Sequence, residues 1–131
     1  VQKGHKQDFG TVLSPEVVTV ERTTSILEIA RIMRDKNIGA VLVMEDDKIA
    51  GIISERDIVR RVVTSEMDTK KTKAEDVMTK DVTTAQFRDK LDKIMDIMCK
   101  APFRHLPILD GDKLVGILSN RDLLYLSRKE E

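Results

Sequence analysis

A chain of 131 residues has room for one ordinary domain or two small ones, which excludes a multi-domain enzyme carrying its own cofactor domain. Lys plus Arg balance Asp plus Glu at 23 each, with 10 of either sign in residues 1–65 and 13 in the remainder. Neither half offers the uncompensated cationic surface that duplex nucleic acid or an anionic membrane requires, while 40% apolar content supplies a core and argues against disorder.

Residues 1–10 are polar apart from Val1 and Phe9 and are read as an N-terminal extension. A first repeat is assigned to residues 11–64. The β-branched run Val17-Val18-Thr19-Val20 predicts a brief strand. Ile26, Ile29, Ala30, Ile32 and Met33 form the stripe of an amphipathic helix. Ser25, three residues before Glu28, has the spacing of a cap that satisfies free helix-start amides, and Asn37 to Gly39 reads as the stop. Ile38 to Met44, a charged turn and Ile49 to Ile53 then predict a hairpin, and a short helix follows from Ser54 to about Val63. Residues 65–73, apolar only at Met67, are expected to link the repeats.

The second repeat, 74–127, runs through the same elements. Val82-Thr83-Thr84 reads as a strand, and Leu91, Ile94, Met95, Ile97 and Met98 as a helix stripe ended by Pro102. Leu106 to Leu109, Asp110-Gly111 and Leu114 to Leu118 read as a hairpin, with a closing helix from Ser119 to about Leu126. Residues 128–131 are a tail. A step of 65 pairs Ile38–Ile58 with Phe103–Leu123 without a gap, and seven of the 21 positions are identical, which makes this a duplication. The identities include Gly51/Gly116, Ser54/Ser119, Arg56/Arg121 and Asp57/Asp122. The expected fold is α/β (α+β): two pseudo-symmetric β-α-β-β-α units. A unit of some 55 residues would be marginal alone, so the two are expected to pack together through their sheets.

The repeated motif is Gly-Ile-[Ile/Leu]-Ser-x-Arg-Asp, at Gly51 to Asp57 and Gly116 to Asp122. Ser54 with Asp57, and Ser119 with Asp122, have capping-box spacing, so helix capping alone would account for both pairs. Two other features point further. Gly51 and Gly116 fall mid-strand, where glycine weakens a sheet unless another backbone or a ligand comes close. Arg56 and Arg121 fall in a first helical turn, the unfavourable end of the helix dipole for a cation. A guanidinium fork for phosphate beside a carboxylate that can accept both hydroxyls of a ribose describes a nucleotide cradle.

In these motifs the chain resembles the CBS domain, named after cystathionine β-synthase, in tandem arrangement over about residues 11–127. The strand entries Lys36-Asn37-Ile38-Gly39-Ala40-Val41 and Phe103-Arg104-His105-Leu106-Pro107-Ile108, and the lead-in Val77-Met78-Thr79, carry the same resemblance. It implies a disc-like module with clefts between the repeats for adenosine-bearing ligands (AMP, ADP, ATP, NADH or S-adenosylmethionine), usually a homodimer when free-standing. It further implies that Asp57 and Asp122 accept the ribose hydroxyls, that Ser54, Arg56, Ser119 and Arg121 lie near the phosphates, and that Thr19, Thr79 and Thr84 lie near ribose or base. Asn37 to Ala40, including Gly39, and Arg104 to Pro107, including His105, would line the purine slot. Gly39-Ala40 is small and neutral where Arg104-His105 can be cationic, so unequal clefts are expected, with the second favouring the more highly charged phosphate group.

Other candidates have plainer explanations. His105 has only His5 as histidine company, with Cys99 six residues before it, and these assemble no zinc ligand set. Met33, Met95 and Met98 read as core filler, and Lys70, Lys71 and Lys73 stand among acidic residues. No nucleophile, base or metal cluster suggests catalysis, so no enzyme is expected. With one cysteine, no signal-like start and no apolar run near 20 residues, neither a disulfide nor a membrane segment is expected, and the cytoplasm is the default compartment. The leading function implied by the resemblance is an adenine-nucleotide sensor that shifts dimer geometry or a regulated partner protein. The alternative is an oligomerisation or interaction scaffold with vestigial clefts. A single-strand nucleic-acid binder is a third class, weakened by a total of four aromatics.

Overall fold

The computed structural model describes residues 17–100, 105–120 and 122. They divide into two compact units, one of residues Val18–Val82 and the other of Val17 with the residues from Thr83 onward.

The first unit contains β1 (Thr19–Glu21), α1 (Ile26–Lys36), β2 (Ala40–Glu45), β3 (Lys48–Ser54), α2 (Glu55–Asp57) continued by a π-helical segment (Ile58–Val63), and α3 (Ala74–Val77). Helix α1 starts where the Ser25 hydroxyl accepts from the Glu28 amide at 3.1 Å. It stops at Asn37, whose left-handed backbone (φ 54°, ψ 50°) turns the chain out of the helix. Its stripe residues Ile26, Ile29 and Met33 are buried with Val41, Val43 and Ile53 of the sheet. The sheet order is β1-β2-β3, parallel then antiparallel, and the β2–β3 turn has positive φ at both Asp46 and Asp47.

Two further stretches pack with these elements. Residues 65–73, read as a linker, are built into the first unit. The opening amides of α1 need acceptors, and Ile26 and Leu27 find them in the carbonyls of Thr72 (2.9 Å) and Thr69 (3.0 Å). Residues 74–82, which open the second repeat in sequence, pack in the first compact unit. Ala74, Val77 and Met78 complete its core, and Thr79 exchanges both backbone hydrogen bonds with Ile52, at 2.9 and 3.0 Å, on the free edge of β3. A Cβ on Gly51 would lie 2.6 Å from Met78 Sδ and 2.9 Å from its Cβ, so the close approach that requires glycine there is made by the chain itself.

The second unit contains β4 (Ala85–Gln86), α4 (Leu91–Lys100), β5 (His105–Asp110) and β6 (Lys113–Ser119), in sheet order β4-β5-β6. The 65-residue step survives in detail. Ala40 faces Ser54 as His105 faces Ser119, and both hairpins shift register at the same place, between Val43 and Met44 and between Ile108 and Leu109. Leu91, Ile94 and Met98 are buried with Leu106, Ile108 and Leu118. The first strand lies at Ala85–Gln86 instead of Val82–Thr84. There Ala85 pairs with Ile108 and Gln86 with Leu109, and the Gln86 side chain accepts from the Gly111 amide at 2.9 Å and donates to the Gly111 carbonyl at 3.2 Å across the turn. Asn120 and Asp122 are helical, as the sequence expects, while Pro102 and the remainder of the helix to Leu126 lie outside the described residues.

Candidate functional site

In the first unit the end of β3 and the start of α2 bring the motif together. The Ser54 amide donates to Asp57 Oδ2 at 2.9 Å, and the Asp57 amide donates to the Ser54 hydroxyl at 3.2 Å, a complete capping box. The Glu55 amide donates to the Gly39 carbonyl at 3.0 Å, and Ala40 pairs with Ser54, so the strand entry and the helix start are adjacent. Pairing aligns Thr19, Leu42, Ile52 and Thr79 in one row across the sheet. Residues in register share a face. Thr19 and Thr79 therefore lie on the face of Ala40 and Ser54, opposite the face that packs Val41, Val43 and Ile53 into the core. Asn37 is the left-handed residue leading into this corner, and Arg56 is exposed in the first turn of α2.

The second unit repeats the arrangement at equal distances: Ser119 amide to Asp122 Oδ2 at 2.9 Å, and Asp122 amide to the Ser119 hydroxyl at 3.2 Å. His105 pairs with Ser119 and Pro107 with Ile117, which places His105, Pro107 and Ser119 on one face and the core residues Leu106, Ile108 and Leu118 on the other. Thr84 immediately precedes β4, whose Ala85 pairs with Ile108. The remaining candidates, Arg104 and Arg121, lie outside the described residues.

One side chain at the first helix start was not singled out from sequence. Arg61, one helical turn beyond Asp57, has Nε 4.0 Å from Asp57 Oδ1 and donates from Nη1 to the Val77 carbonyl at 2.8 Å. The four-residue spacing of opposite charges was the available signal. The position 65 residues on is Leu126, so the copies differ in sequence here. The shifted titrations are those of Arg34 and Asp35, in the last turn of α1. There a hydrogen bond from Arg34 at 2.7 Å holds the exposed Asp35 carboxyl below its usual range and raises Arg34 in return. Among the described residues no group of three His, Cys, Asp or Glu side chains is placed to hold a metal ion, and no helix is long and apolar enough to cross a membrane.

The CBS-domain family profile matches residues 9–64 and 74–129. An uncharacterised protein of Methanopyrus kandleri is 35% identical over 89% of this chain, which spans 61% of that relative's length. Inosine-5'-monophosphate dehydrogenase of Thermoplasma acidophilum is 33% identical over 87% of the chain but only 22% of the enzyme, so the likeness does not extend to most of that protein. Among solved structures, a CBS-domain-containing protein of Agrobacterium tumefaciens superposes with a TM-score of 0.82 at 32% identity, covering 93% of this chain and 97% of that one.

Proposed function

We propose, from the premise that this chain belongs to the CBS-domain family, that it is a non-catalytic regulatory module taking an adenosine-bearing ligand at its two helix starts. The ligand class is AMP, ADP, ATP, NADH or S-adenosylmethionine. The readout is a change in homodimer geometry or in a partner protein's surface, in the cytoplasm. One observation carries this reading: at both Asp57 and Asp122 the Ser amide is held through Oδ2, so Oδ1 lies outside the capping box. A carboxylate offers about four lone-pair sites, so a capping Asp can still accept the paired hydroxyls of a ribose. Ser54, Arg56, Ser119 and Arg121 are then the phosphate-side groups. Thr19, Thr79 and Thr84 stand by ribose or base, and the backbone at Asn37, Gly39, Ala40, Arg104, His105 and Pro107 forms the purine side.

Thermal melting of the full chain with each compound tests it. A ligand at 100 times its dissociation constant adds about 2.7 kcal/mol to stability. If none of the compounds raises the melting point, the scaffold reading takes its place. That second reading draws on the exposed Val59 and Val63 (56% and 60% accessible), one helical turn apart on the π-helical segment.

A further inference from the structure

The Arg61 guanidinium touches two parts of the first unit. On one side it stands 4.0 Å from Asp57 Oδ1, and on the other it holds the Val77 carbonyl at 2.8 Å. Val77 closes α3, and directly after it Met78 packs beside Gly51 and Thr79 pairs with Ile52. A single side chain thus ties the carboxylate to the segment docked along β3, which four residues past Thr79 leads into the second unit at Thr83. A separation of 4.0 Å is too long for a hydrogen bond, so it leaves Oδ1 lone pairs for a ligand. It is short enough for a Coulomb attraction whose size depends on how much water surrounds the pair.

We propose that Arg61 is a positioning residue that couples occupancy of Asp57 to the seating of residues 74–79 on β3. The proposal rests on the reading that Asp57 accepts ligand hydroxyls. A hydroxyl arriving at Oδ1 displaces water from around the pair, and the lower local dielectric strengthens the pull on the guanidinium. A better-fixed Arg61 holds the Val77 carbonyl more firmly, so Met78 and Thr79 dock more tightly. By linkage, tighter docking favours the ligand by the same factor. Because position 126 is Leu, the device belongs to the first site alone.

Amide hydrogen exchange of the full chain, with and without saturating AMP, provides the test. The reporting amides are Met78, bonded to the Ala74 carbonyl, and Thr79, bonded to the Ile52 carbonyl, each at 2.9 Å. AMP is expected to slow both by at least about fivefold in the wild type, the lower end of ordinary coupling between sites. In Arg61→Met the slowing should disappear although AMP still binds. Arg61→Lys, which retains the cation without the fork, should recover part of it and keeps the readout usable if the Met variant folds poorly. Equal slowing in wild type and both variants overturns the proposal. Asp57→Asn separates this failure from that of the reading beneath it. If AMP affinity is the same in Asp57→Asn, the ribose-acceptor assignment fails. If affinity falls there but wild-type Met78 and Thr79 do not respond to AMP, the coupling alone fails.

Discussion

Asp57 and Ser54 hold each other's backbone amides, Ser54 N–H to the carboxylate at 2.9 Å and Asp57 N–H to the hydroxyl at 3.2 Å. The pair is first a fold device, because it satisfies amides that no helical carbonyl can reach. Removing either partner by Ser54→Ala or Asp57→Ala should cost about 1 kcal/mol in urea unfolding. Asp57→Asn retains an oxygen for the Ser54 amide and should cost less than about 0.5 kcal/mol, which makes it the variant that separates capping from ligand binding.

Gly51→Ala should destabilise by about 1–3 kcal/mol, measured in the same way, because the new methyl meets Met78 at its Cβ and Cγ as well as at the sulfur, and the side chain cannot swing clear. The double variant Gly51→Ala/Met78→Ala should lose less than the sum of the two single changes. Strict additivity would mean that the glycine serves some other approach.

Asn37 holds a left-handed conformation at φ 54°. Asn37→Gly should be neutral or stabilising by a few tenths of a kcal/mol, whereas Asn37→Val should cost more than about 1 kcal/mol, since a β-branched residue resists that region. If the backbone here lines the purine slot, AMP affinity in Asn37→Gly should equal that of the wild type by calorimetry.

The two helix starts should also prefer different ligands. With the first disabled by Asp57→Asn, the second should bind ATP about tenfold more tightly than AMP, in keeping with one to two extra charge-assisted contacts from Arg104 and His105. With the second disabled by Asp122→Asn, the first should show little preference. Equal AMP and ATP affinities at both sites would remove the expected role of Arg104 and His105.

Much of this architecture was legible in the sequence because it rests on local patterns. The stripe at Ile26, Ile29 and Met33 predicted α1, Ser25 its start and Asn37 its end, and the 65-residue step anticipated the shared register of both hairpins. Less legible were features fixed by distant partners. The polar composition of 65–73 gives no sign that Thr69 and Thr72 offer carbonyls to the start of α1. Strand β4 was expected at Val82–Thr84 because β-branched residues outweighed Gln86, whose side chain pairs with the Gly111 turn. At the site, the Ser–Asp capping pairs were read correctly from spacing. The reason for Gly51 was legible only in part, since the close neighbour is Met78, 27 residues further along the chain.

Calorimetric titration of AMP into the full wild-type chain and into Asp57→Asn/Asp122→Asn, with melting points recorded for both, bears most directly on the dual role of these carboxylates. The expected result is binding to the wild type and at least a tenfold loss of affinity in the double variant at nearly unchanged melting temperature, since a hydrogen bond to a charged acceptor contributes about 1.5–3 kcal/mol. Unchanged AMP affinity in the double variant would contradict the account and leave Asp57 and Asp122 as helix caps alone.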